Sequence, residues 1–186
     1  MRRVITIAIL ILLNFGLQST LFGFGDIHSI KPNLLLILTM SFGVMRGRRE
    51  GLLVGFFCGL LVDIYFAPVL GIYAMLYMFI GYFNGYMHKN FMIEDVMLPL
   101  IVILIDDFLY NFMIYFVVFM LHNRLDFKGY FKRIILPEML CTALLTIILY
   151  KLYVIINNYL KYKKESKEII KIKTIVIQIF TLFAIN

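Results

Sequence analysis

The chain has 186 residues, of which 62% are hydrophobic and 16% are charged, with a mean hydropathy of +0.92 and a net charge of +7. These values exclude a soluble globular domain and indicate an integral membrane protein. The basic residues stand in short clusters between apolar runs. That pattern is typical of charges that orient a membrane protein and not of a nucleic-acid-binding face.

A transmembrane helix needs about 20 residues to cross a hydrocarbon core of about 30 Å, and this length divides the chain into six predicted spans. They cover residues 4–24, 32–45, 51–66, 70–87, 96–121 and 134–156, and form one transmembrane domain over residues 1–156. Residues 157–186 follow as a basic tail, in which alternating isoleucine and lysine at 170–173 favours a strand without deciding the structure. The sequence therefore predicts an all-α bundle of six membrane helices with a polar extension.

The distribution of lysine and arginine predicts that both termini lie in the cytoplasm. In that orientation twelve of these residues fall inside and five outside, with Lys151 in or near the last span. The cytoplasmic basic turn after the second span consists of Arg46, Arg48 and Arg49, and it is available to partners or lipid head groups. One outer loop, residues 124–133, is also basic; it would move to the cytoplasm if the short second run did not span.

A stripe of small residues runs along the third predicted span. Glycines recur there at every fourth position, at Gly47, Gly51, Gly55 and Gly59, and Asp63 adds one more step. Such a stripe lets another backbone approach closely, so it predicts tight packing on another helix of the chain or on a partner. The same packing role is expected for Gly71, Gly81 and Gly85 in the fourth span, and Gly71 also marks, with Pro68, a tight turn before it. The aspartate is either a buried contact or ligand group, or a helix-end residue that caps the turn at 67–71.

Two adjacent aspartates, Asp106 and Asp107, lie within the fifth predicted span. Adjacent helical side chains point about 100° apart, so the pair cannot form an acid–base site on one face. Tyr110 and Asn111 follow one turn later and are expected to be same-face hydrogen-bonding neighbours of the two aspartates. We interpret Asp106, Asp107 and Asn111 as intramembrane polar groups that bond between helices, with a proton or ion relay as the alternative.

The sequence contains none of the common catalytic patterns. It has no nucleophile elbow, Walker loop or dinucleotide-binding glycine pattern after a strand, and its three histidines lack the spacing of a zinc site. Cys58 and Cys141 lie in apolar segments without a CxxC spacing. We therefore expect no enzyme activity, no cofactor and no metal.

Four segments in the first half of the chain resemble a known family. Residues 32–36 read P-N-L-L-L, residues 46–49 form the arginine–glycine turn, residues 55–63 end in G-L-L-V-D, and residues 70–82 read L-G-I-Y-A-M-L-Y-M-F-I-G-Y. These motifs are similar to those of the MreD family of rod shape-determining membrane proteins. Asn33 departs from the family pattern, which often has aspartate there.

The resemblance implies a noncatalytic subunit of the complex that elongates the bacterial cell wall, located in the plasma membrane. Such a subunit would bind MreC and help couple MreB filaments to the glycosyltransferase and transpeptidase of peptidoglycan synthesis, and so to cell-shape control. The family also looks similar in fold to the S component of energy-coupling-factor transporters. The alternative is therefore a substrate-binding subunit of a vitamin or small-molecule transporter, with Asp63 and tyrosines of the fourth span at its ligand.

Overall fold

In the computed structural model the residues that can be described are 2–23, 32–67, 70–88, 97–122 and 127–184, and all their regular structure is helical. The helices are α1 Arg2–Gly23, α2 Leu34–Arg46, α3 Arg48–Phe66, α4 Ile72–Met87, α5 Met97–His122, α6 Phe127–Tyr130 and α7 Leu136–Ala184. A π-helical turn, Phe131–Ile135, joins the last two. The expected all-α class is confirmed for this part of the chain.

The first five helices begin and end within three residues of the predicted spans. By length and composition, two segments are candidate membrane spans, namely Met97–Val117 of α5 and Leu136–Leu160 of α7. The others are shorter or less apolar, and α2 has only 13 residues, or about 20 Å of helix. Six membrane crossings therefore remain a prediction.

The centre of the bundle is α2, every residue of which from Leu34 to Met45 is buried. Helices α1, α3, α4, α5 and α7 all contact it. Two side chains satisfy the amide groups at its start: the carboxamide oxygen of Asn33 accepts from Leu36 N at 3.1 Å, and that of Gln18 accepts from Leu35 N at 3.1 Å. Both acceptors are buried, so these two amides are satisfied within the bundle.

Helix α7 continues far beyond the predicted end of the sixth span at residue 156 and reaches Ala184. The expected boundary between span and tail is therefore not a break in the backbone, and the suggestion of a strand at 170–173 is wrong. Residues 157–184 contain neither proline nor glycine, so nothing in this segment interrupts the helical hydrogen bonds. The basic loop at 124–133 lies partly outside the described residues.

Candidate functional site

Helices α3 and α4 form a hairpin whose backbones touch through glycine. A Cβ atom on Gly51 would collide with the carbonyl oxygen of Gly81, and one on Gly81 would collide with that of Gly51. The Cβ position of Gly55 falls against the Tyr77 carbonyl, and that of Gly59 lies 2.5 Å from the Cα of Ala74. No residue with a side chain fits at these positions without separating the two helices.

The glycine contact continues towards the start of α3. Gly85 faces the backbone of Arg48, and a Cβ on Gly43 of α2 would lie 2.8 Å from the carbonyl oxygen of Gly81. Gly71 is different, because nothing lies within 4 Å of its Cβ position. Its φ of 104° is one that a side chain disfavours, so this glycine serves the turn before α4 and not the expected helix packing.

The glycine seam, defined here as Gly51, Gly55 and Gly59, is thus filled by α4 of the same chain. Of the two possibilities that the sequence left open, packing within the chain or on a partner, the geometry shows the first. A second protein would have to displace α4 to reach these glycines.

Asp63 follows the seam and is 1% exposed. Its two carboxylate oxygens accept hydrogen bonds from the amides of Tyr73 at 3.1 Å and Ala74 at 2.8 Å. These amides belong to the first turn of α4, which has no partners for them within the helix and attracts negative charge. Asp63 therefore caps the start of α4, just beyond the turn at 67–71, and both its oxygens are used there.

The basic turn divides into an inward and an outward part. The Arg46 side chain is 8% exposed; its Nε donates to Asn157 Oδ1 of α7 at 2.7 Å, and its guanidinium bonds Glu50 at 3.0 Å. Arg48 and Arg49 are exposed, and the Arg48 guanidinium lies 3.5 Å from the centre of the Tyr86 ring. All three arginines are expected from the sequence to meet partners or lipid. Arg46 instead joins α2 to α7 inside the bundle, and Arg48 and Arg49 remain exposed.

Asp106 bonds α5 to the hairpin. Asn84 Nδ2 of α4 donates to its Oδ2 at 2.5 Å, and both residues are buried. Asn111 is a hydrogen-bonding neighbour of Asp107, but its amide donates to the backbone oxygen of Asp107 at 3.0 Å and not to the carboxylate. A polar side chain one turn away on a helix can bond the backbone as readily as a neighbouring side chain.

A second buried polar cluster joins the starts of α2 and α7 to the middle of α4. Tyr77 donates its hydroxyl hydrogen to Asn33 Oδ1 at 2.6 Å, and the Asn33 amide donates to Thr142 Oγ1 at 3.3 Å. Asp107 is 1% exposed nearby; its carboxylate interacts with Thr142, but within the described residues neither oxygen reaches hydrogen-bond geometry. In the same part of the chain no group of three His, Cys, Asp or Glu residues could hold a metal ion.

Sequence reasoning missed Asn33, Tyr77 and Asn84 as members of these polar clusters. An asparagine before an apolar helix is a recognisable capping signal, so the role of Asn33 at α2 could have been found. The hydrogen bond between Asn33 and Tyr77 could not have been predicted, because the two residues are 44 positions apart in the chain.

The comparison with known families covers all of these contacts. A family model described as rod shape-determining protein MreD matches residues 1–163. The chain belongs to the MreD family. MreD proteins are membrane proteins that act in cell-shape determination as part of the elongasome, and the family is one of structural subunits and not a known enzyme family.

The MreD match includes the basic turn, the hairpin and both polar clusters, and it ends before most of the basic tail. It gives no support to the alternative of a transporter's substrate-binding subunit. Neither a curated protein nor a solved structure gives a significant match to the chain. The expected likeness to the S component of energy-coupling-factor transporters therefore stays a prediction.

Proposed function

We propose that this MreD-family chain is a noncatalytic, multipass subunit of the cell-elongation complex that binds MreC. Through MreC it helps to connect MreB filaments on the cytoplasmic side to the enzymes of peptidoglycan synthesis. The observation that carries the proposal is the family match over residues 1–163, which contains every buried contact described above.

The structure supports a particular mode of action within this role. The hairpin is closed by backbone contact at the glycine seam. Asp63 caps α4 at the turn of the hairpin, and Asp106 of α5 bonds Asn84 near the other end of α4. A bundle fixed in this way suits a subunit that holds partners in a set geometry. Because the seam is filled, an outer face of the bundle is the better candidate for MreC contact.

The orientation in the proposal has both termini in the cytoplasm of a bacterium, with six crossings of the plasma membrane. The excess of lysine and arginine on that side supports it. So does the exposure of Arg48 and Arg49, since exposed cations next to a membrane favour its anionic cytoplasmic surface.

The test is affinity purification of the tagged chain from its native membrane in mild detergent, followed by mass spectrometry of the proteins that accompany it. We expect MreC and wall-synthesis enzymes in amounts well above those recovered with an unrelated multipass protein carrying the same tag. Recovery of a monodisperse chain without MreC would refute the binding proposal. Cysteine labelling from the outside at residues of the basic turn would refute the orientation.

A further inference from the structure

A groove with a volume of about 580 Å³ runs between α1 and α3, on the face of α3 that is turned away from α4. Apolar side chains form its walls, among them Val4, Ile7 and Leu12 of α1 and Leu53 and Phe57 of α3. We infer that this groove holds an acyl chain of one anionic phospholipid, with the lipid head group at the basic turn.

The two ends of the groove differ. Beyond the apolar walls, the ring of Phe15 on α1 packs on Tyr65 at 4.9 Å and on Phe66 at 6.1 Å, which closes the space between the helices. At the other end the lining consists of Arg46 and Glu50. A ligand that matches this lining is apolar along its length and polar at one end only, as a lipid is.

The size of the groove suits an acyl chain. Its volume of about 580 Å³ is within the usual range of small-molecule sites, about 300–1,000 Å³.

The charge at the open end selects the head group. Glu50 neutralises Arg46, but Arg49 is exposed and stands one and two helical turns before Leu53 and Phe57, in the same row of α3. Arg49 therefore stands on the same row of α3 as the groove wall, at the end where Arg46 and Glu50 lie. A lipid phosphate without a compensating amine would complement this charge, whereas a zwitterionic head group would bring its own cation.

The occupant can be tested on the purified full chain by native mass spectrometry in mild detergent. The probes are phosphatidylglycerol and phosphatidylethanolamine with identical acyl chains, supplied in equal amounts. We expect one retained lipid per chain and at least a fivefold excess of phosphatidylglycerol. No retained lipid, or equal retention of the two, would overturn the inference.

Two substitutions of the same type locate the acyl chain. Leu53→Trp narrows the groove, and Leu152→Trp adds the same bulk on α7, where the leucine is similarly exposed, 47% against 54%. We expect lipid retention to fall at least fivefold in the first and to stay unchanged in the second. Equal retention in both would exclude the groove. Should Leu53→Trp fail to accumulate, Ala8→Leu on the opposite wall gives the same test.

Two further substitutions locate the head group. Arg49→Gln and Arg48→Gln remove the same charge from the same turn, but Arg48 lies on the Tyr86 ring. We expect Arg49→Gln to abolish the preference for phosphatidylglycerol and Arg48→Gln to retain it. Equal loss in both would mean general attraction to an anionic surface. Photocrosslinking from position 57 in cells to a protein, and not to lipid, would show that a partner helix covers the groove.

Discussion

Two faces of α3 pack in opposite ways. The face with Gly51, Gly55 and Gly59 meets α4 backbone to backbone, whereas the face with Leu53 and Phe57 leaves an open groove against α1. In water the large apolar face would be the one that associates. In a bilayer the lipid is as apolar as leucine, so helices gain most where small residues permit many close contacts and least where bulky side chains hold the backbones apart.

The largest loss of stability is expected when a bulky side chain is placed on the glycine face of α3. Gly55→Leu forces a side chain against the Tyr77 backbone, so we expect a loss of about 3 kcal/mol or more, seen as poor accumulation or a strongly lowered Tm in detergent. Gly16→Leu on α1 is the matched control, because nothing lies within 4 Å of its Cβ position. Similar stability of the two variants would show that α3 and α4 do not depend on the seam.

Substitution of Asp63 measures how much the cap at the start of α4 contributes to the stability of the hairpin. Asp63→Ala leaves the amides of Tyr73 and Ala74 buried without an acceptor, so we expect a loss of about 2 kcal/mol. Asp63→Asn keeps one acceptor oxygen and should cost about half as much. The Tm values of the two variants in detergent show whether Asp63→Ala is the less stable of the two. A loss in Asp63→Ala as large as in Gly55→Leu would make the cap, and not the seam, the main support.

Removal of the contact between the hairpin and α5 should cause an intermediate loss of stability. Asn84→Ala leaves the buried Asp106 oxygen without its donor, so we expect a loss of about 1–2 kcal/mol. A double-mutant cycle with Asp106→Ala measures the coupling, for which we expect about 1 kcal/mol. Additive losses would mean that the two side chains do not act as a pair.

The smallest loss of stability is expected at the groove between α1 and α3. Glu50→Gln removes the ion pair with Arg46, but the Glu50 side chain is 40% exposed and Arg46 keeps its bond to Asn157. We expect a change below about 1 kcal/mol that shrinks further in high salt. A larger loss would show that the end of the groove contributes to the fold as strongly as the hairpin does.

The helices and the glycine stripe could be predicted from the sequence because both depend on local spacing. Four-residue steps place Gly51, Gly55 and Gly59 on one face whatever that face meets. The partner of the face could not be predicted, since it depends on which helices become neighbours. Arg46 illustrates this limit, because its inward position is set by Asn157, 111 residues away.

The polar groups of α5 show what local rules leave undecided, and the end of α7 shows where they gave the wrong result. Asn111 has the spacing of a partner for Asp107, but the spacing does not decide between the side chain and the backbone oxygen that the amide contacts. The lysines after residue 156 change the composition, and a change of composition alone does not end a helix. Only a residue that breaks the hydrogen-bond ladder would have done so.

The position of the hairpin contacts along the chain has a consequence for biosynthesis. Every glycine contact between α3 and α4, and the cap at Asp63, joins residues that lie between positions 47 and 85. The hairpin therefore has all of its own contacts as soon as α4 has been synthesised, while α2 must wait for α7 to supply Thr142 and Asn157. The contacts that hold the hairpin together therefore do not depend on the synthesis of α5 or α7.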